Sequence, residues 1–295
     1  MKKLLTLLFL TSQVALCQIG LQDQYQFNML AINPAFTGER GNFGVSGLLG
    51  QQFNGTIQPN QVSQLISMDG KLNNERNSIG FQGFRSAVTG FTNNGMALTY
   101  SYSFQASADL KVNVGINAGF MVSPNFVGNV DVLQRFNPFG GPGVAAFVKD
   151  GFLSVAAPTL FSKANTYTTI NKDIKLAAGY RIGNYENVAL NFMILSSLAT
   201  NASSQNGFDV NAKIWLGNKI GLGGSFRTQS GKNKIIPNFQ IRVSESSTLG
   251  LSYDEEPLIF LNTNPGFRNS NGIFQLMYRY DVFYSGYKSP FINQF

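Results

Sequence analysis

The sequence contains no histidine, and its one cysteine, Cys17, stands inside what reads as an export signal. Without histidine the common imidazole ligands of Zn²⁺, Cu and Fe sites are gone, and after cleavage no thiolate replaces them. The Ser-His-Asp and Cys-His catalytic arrangements go with them. A mature chain without cysteine has no disulfide framework. Charge is scarce as well: Asp, Glu, Lys and Arg make up 13% of the chain, against roughly 25% in soluble domains. The net charge of +7 is spread along the sequence, without the Lys/Arg cluster that marks a nucleic-acid surface. No apolar run after residue 17 reaches the ~20 residues that a membrane helix needs. The expectation is therefore a chain with no metal, no cofactor, no nucleic-acid partner and no helical membrane span.

What is present begins with the export signal. Lys2 and Lys3 give a basic start, Leu4 to Leu10 an apolar run, and Ala15-Leu16-Cys17 a small-residue cleavage site before Gln18. Acylation of Cys17 is the competing reading, disfavoured because Leu16 is large for the position before a lipidated cysteine. The expected organisation is a signal peptide at 1–17, an N-terminal periplasmic or plug segment at 18–40, and a barrel at 41–295.

Strict alternation dominates from residue 41 onward. From Met96 to Gln105 every even position is apolar or aromatic and every odd one small or polar. The next stretch repeats this, with Leu110, Val112, Val114, Ile116, Ala118 and Phe120 alternating with Lys111, Asn113, Gly115, Asn117 and Gly119. A period of two over about ten residues suits a transmembrane strand, one face in lipid and the other in a polar lumen. Leu98, Tyr100, Val112, Val114 and Ile116 should then face lipid. A soluble sandwich also alternates, but it would carry charge on its outer face, and here the more polar face is small and neutral.

Turn residues divide the chain into about fourteen strands, near 41–53, 63–70, 77–88, 94–106, 109–123, 143–149, 151–160, 173–183, 187–198, 207–217, 219–228, 236–244, 247–254 and 271–283. Connections after even-numbered strands are tight, as at Asp150, Asn218 and Glu245-Ser246. Those after odd-numbered strands are mostly longer, as at Asn54–Val62, Pro124–Pro142 and Glu255–Ser270. Short periplasmic turns, long outer loops and an even strand number characterise outer-membrane barrels. The expected fold is all-β: a transmembrane outer-membrane β-barrel of about 14 antiparallel strands, placed in the outer membrane of a Gram-negative bacterium and surrounded by its lipid.

Several candidate sites follow. Gln24, Tyr25, Phe27 and Asn28, with Asn33 and Pro34, form a partner or plug motif, or aromatics that simply seal the barrel mouth. Asp254, Glu255 and Glu256 open a long outer loop and could meet a cation or a basic partner, or just be solvated. Gly140-Gly141-Pro142-Gly143 reads as a turn and lacks the Gly-Lys-Ser/Thr ending of a phosphate loop. Tyr, Phe and Trp near strand ends read as interfacial girdle residues. Alternation turns Lys111, Lys175, Arg181, Lys213, Arg227, Arg242 and Arg279 inward, against Asp209 and Asp281, unless some snorkel at strand ends. Like charges in a confined lumen repel, so an acidic or carbonyl-rich element should sit among them, with Gln18–Gly38 the obvious candidate.

Gln22-Asp23-Gln24-Tyr25-Gln26-Phe27-Asn28, followed by Asn33-Pro34-Ala35-Phe36-Thr37-Gly38, resembles the opening signature of the PorP/SprF family of type IX secretion outer-membrane proteins. Ser67-Met68-Asp69, Asn137–Gly143, Trp215-Leu216-Gly217, Leu249–Asp254 and Asn271–Arg279 extend the likeness over nearly the whole mature chain. Phe53 stands where the family has a tryptophan. The resemblance implies a non-enzymatic component of type IX secretion or gliding motility. Such a protein would work with other secretion components and bind, anchor or help export a secreted surface protein such as an adhesin, through the cargo's C-terminal domain. A porin or transporter for small solutes is the alternative.

Overall fold

The computed structural model describes residues 25–52, 62–72, 76–88, 91–127, 131–162, 172–184, 187–200, 206–229, 232–254 and 272–282. The expected signal peptide at 1–17 therefore lies outside the described residues. Fourteen antiparallel strands close into one ring, each hydrogen-bonded to its sequence neighbours and β1 to β14. They are β1 (Phe43–Gln52), β2 (Val62–Lys71), β3 (Asn77–Val88), β4 (Phe91–Ser107), β5 (Leu110–Val127), β6 (Asp131–Val148) and β7 (Gly151–Ala156). The second half comprises β8 (Asp173–Asn184), β9 (Val188–Ala199), β10 (Gly207–Leu216), β11 (Ile220–Gln229), β12 (Lys232–Arg242), β13 (Ser247–Asp254) and β14 (Ile273–Val282). Each strand read from the alternation has its counterpart.

One region differs. The expected Pro124–Pro142 loop is mostly strand: β5 and β6 stay in register out to Val127↔Asp131, and Phe120 stacks on Phe136 with centroids 4.6 Å apart. The Gly140–Gly143 stretch is accordingly part of β6 and not a turn. Pro142 is tolerated because its carbonyl accepts from Ala157 N, so its missing N–H faces the same edge, beyond the last β6–β7 pair Gly143↔Ala156. Two prolines in seven residues read as a loop; an edge beyond the ladder has no use for their absent donors.

The tight turns sit where turn chemistry puts them. Between β10 and β11 both Gly217 and Asn218 have positive φ, and Lys219 N donates to Leu216 O, the two-residue hairpin geometry that suits the strand twist. Alternation then sorts the faces. Leu98 is 67% exposed on the outside while Ser101 and Asn113 are fully buried inside. Tyr100, Val114 and Ile116 also face out, and Val112 is half-buried. Five outward tyrosines (Tyr100, Tyr102, Tyr180, Tyr278 and Tyr280) are all exposed, each in the half of its strand nearer the short turns. Amphipathic rings at one rim mark a membrane–water interface. Trp215 departs from this girdle: it is buried inward, with Arg242 over its ring at 5.4 Å.

Candidate functional site in the lumen

Residues 25–40 run inside the ring as three single turns of 3₁₀ helix, Tyr25–Phe27, Met29–Ala31 and Pro34–Phe36, and every one of these residues is buried. Asn33-Pro34 shapes the last turn. Pro34 presets the helical φ at the first position, and Asn33 Oδ1 caps it by accepting from Ala35 N at 2.8 Å. The amide of Asn33 also reaches the wall, donating to Val144 O at 3.1 Å and Val155 O at 3.2 Å. Close approach requires a bare wall there, and Gly115 and Gly143, paired across β5 and β6, supply it. A Cβ on Gly115 would lie 2.4 Å from the Pro34 backbone, and one on Gly143 2.0 Å from Asn33 Oδ1.

The rest of the segment is tied by charge and aromatic packing. Gly38, with φ of +74°, turns the chain so that its N–H donates to Asp69 at 2.7 Å. Arg40 pairs with the same carboxylate, and Glu39 accepts from Lys111 and Asn113. Thr37 donates to Pro34 O at 2.6 Å, and Gln82 donates to Leu30 O at 2.9 Å. Phe36 meets Phe147 and Phe152 edge-on at 5.5 and 5.3 Å. At the other end the Tyr25 hydroxyl donates to Asp209 at 3.0 Å, while Arg227 pairs with that carboxylate at 2.8 Å. Burial first, and the Asp209 charge second, raise the Tyr25 phenol well above its ordinary range.

Of the motif residues, Tyr25, Phe27, Asn28, Asn33 and Pro34 are thus gathered in the lumen, and Gln24 lies outside the described residues. Asp254 is buried and accepts from Lys234; Glu255 and Glu256 are outside the described residues. Among the basic residues, Lys111, Lys213, Arg227 and Arg279 face the lumen. Arg279 pairs with Asp281 at 2.7 Å and lies 5.2 Å over the Phe27 ring. Lys175 pairs with Asp173 and Arg181 with Asp150, both half-buried, and Arg242 donates to Asn218 at the short-turn rim. The acidic element among the cations is mainly the wall itself (Asp69, Asp209, Asp281), joined by Glu39 from the segment. Glu39, Arg40 and the pairing of Asp69 escaped the sequence reading, although Asp69 has the inward parity of Leu65 and Ser67 and could have been found by it. Among the described residues no grouping of three or more His, Cys, Asp or Glu side chains could hold a metal ion.

A family model, type IX secretion system membrane protein PorP/SprF, matches residues 17–280. The chain belongs to the PorP/SprF family. It is an outer-membrane, multi-strand β-barrel of the type IX secretion system. Similar folds occur in CymD, a monoaromatic hydrocarbon channel, with TM-score 0.53, 10% identity, 90% of this chain and 94% of that one covered. The outer membrane protein Omp33 of Acinetobacter baumannii gives TM-score 0.50 at 10% identity, covering 83% of this chain and 100% of the other. The toluene transporter TbuX of Ralstonia pickettii gives 0.50 at 9% identity, covering 88% and 94%. At such identities the likeness concerns the fold alone. A comparison with curated proteins finds no match.

Proposed function

We propose that this PorP/SprF barrel is a non-enzymatic holder: it binds a secreted surface protein, of which an adhesin is one kind, and anchors it or assists its export, in secretion or in gliding motility. The supporting observation is the occupied lumen. Residues 25–40 lie buried within it and are tied to the wall through Asn33, Glu39, Arg40 and Tyr25, an arrangement suited to holding more than to steady solute flow. Family membership brings the other secretion components into the assembly. Absence of histidine removes the commonest general base, which weakens a hydrolase reading.

Two measurements test this. Full-length protein purified from native membranes after mild cross-linking should carry an adhesin-sized partner, and the same protein in planar bilayers should stay closed. A steady open conductance with no co-purifying partner would replace the holder with a solute channel.

A further inference from the structure

Among the described residues five inward cations of the lumen have an acidic partner. Arg40 meets Asp69, Lys111 meets Glu39, Arg227 meets Asp209, Arg279 meets Asp281 and Lys234 meets Asp254. Lys213 is fully buried on the inner face of β10, and among the described residues its Nζ has no hydrogen-bond partner and no ion-pair partner. An ammonium held there without a counterion would be among the costlier things a fold can carry, and a bound anion would offset that cost.

Its surroundings along the wall share the same deficit. Lys213 pairs in register with Gly223, Gly223 with Asn238, Asn238 with Ser252 and Ser252 with Gln275. This single rung crosses five strands, and Gly223 puts no side chain between Lys213 and Asn238. All four polar side chains are at least nine-tenths buried. Asn238 Nδ2 and Oδ1, Ser252 Oγ and Gln275 Oε1 have no partner among the described residues. Buried polar atoms are normally satisfied, and a run of exceptions on one rung calls for a ligand.

We propose that this rung is a carboxylate-binding site, with Lys213 supplying the charge and Asn238, Ser252 and Gln275 the hydrogen bonds. One ammonium without a counterion matches one negative charge, because the nearby Arg279 is engaged with Asp281. Ser252 and the Asn238 amide donate to the second oxygen, and the Asn238 and Gln275 carbonyls accept an adjoining N–H. A free small carboxylate and the carboxylate of a peptide share this chemistry.

The test uses full-length barrel in detergent micelles, with acetate replacing a bulky sulfonate at constant ionic strength. Thermal unfolding should rise by a few degrees and saturate. Lys213→Met should abolish that response without lowering the acetate-free midpoint, since it removes the unpaired charge. Ser252→Ala should weaken the apparent affinity for acetate several-fold, Gln275→Ala that for a peptide with an N–H beside its carboxylate, and they carry the test if the Met variant does not fold. A short peptide with a free C-terminus acting at lower concentration than acetate, its amide being inert, identifies a polypeptide as the source; equal potency of the two identifies a small free acid. Wild type and Lys213→Met responding alike to acetate, or a wild type without any response, would overturn the site.

Discussion

Gly143 and Asn33 share one spot on the lumen wall: a Cβ at position 143 would stand 2.0 Å from Asn33 Oδ1. Gly143→Val should therefore push the segment off its seat while leaving the ring intact. In a chain with Ala31→Cys, a thiol reagent should label the cysteine rapidly in the Gly143→Val background and slowly otherwise. Gly47→Ala is the control, since nothing lies within 4 Å of its would-be Cβ. Equal labelling in all three would mean that the wall does not depend on this fit.

Asn33→Ala removes the donors to Val144 O and Val155 O and the cap on Ala35 N. Leaving buried partners unsatisfied costs about 1–3 kcal/mol. Urea unfolding should show a loss in that range. Asn33→Asp should be at least as costly, because it keeps the cap but strands a charge against two carbonyls.

Tyr25 gives the segment an alkaline dependence. Its phenol is held above the ordinary value by burial and then by Asp209. The folded chain therefore keeps a proton that the unfolded chain sheds beyond roughly pH 10. Stability from this group is present below that pH and falls as pH rises above it. Tyr25→Phe should lessen the alkaline fall in the unfolding midpoint, and an unchanged pH profile would remove Tyr25 as its cause.

Val114 faces outward from β5 and is 45% exposed to the surroundings. Val114→Arg should cost roughly 2–4 kcal/mol of folding free energy in lipid vesicles, against little for Val114→Leu. Its inward neighbour Asn113 is not the tolerant site that a water-filled lumen would make it. It donates to Ala35 O at 3.0 Å and to Glu39 at 2.9 Å, so an arginine there meets the segment and destabilises too.

Deleting residues 20–38 should convert a closed barrel into an anion-preferring pore in planar bilayers. Arg40, Lys111, Lys213, Arg227 and Arg279 would then line the lumen against Glu39, Asp69, Asp209 and Asp281. A deletion variant that stays closed, or that prefers cations, removes the segment as the barrier.

Most of the ring was legible because a two-residue period survives every strand, and Asn218 and Asp150 punctuate it with turn chemistry. The outer part of β6 was not, since Pro138, Gly140, Gly141 and Pro142 carry loop residues into an edge whose far side has no ladder to break. The motif at Asn33-Pro34 was visible as a motif. Its seat was not, because Gly115 and Gly143 lie far apart in sequence and only the β5–β6 register joins them. The Lys213 rung was half-legible: parity turned the lysine inward, but partnership is a three-dimensional property.

Arg40 also bears on how the ring closes. It precedes the first strand, yet a Cβ on Gly44 would find Asp281 of the final strand, Arg40 and Asp69 of the second at 2.8, 3.7 and 3.8 Å. Gly44 is itself the register partner of Asp281. One cation thus feels carboxylates on both β2 and β14 across the seam where the sheet closes. A nascent barrel that has not yet received β14 lacks one of the two carboxylates, and its N-terminal clasp is correspondingly weaker. Seating of residues 25–40 and arrival of the last strand are coupled events, so an incompletely zipped barrel should betray itself by an unfastened segment ahead of β1.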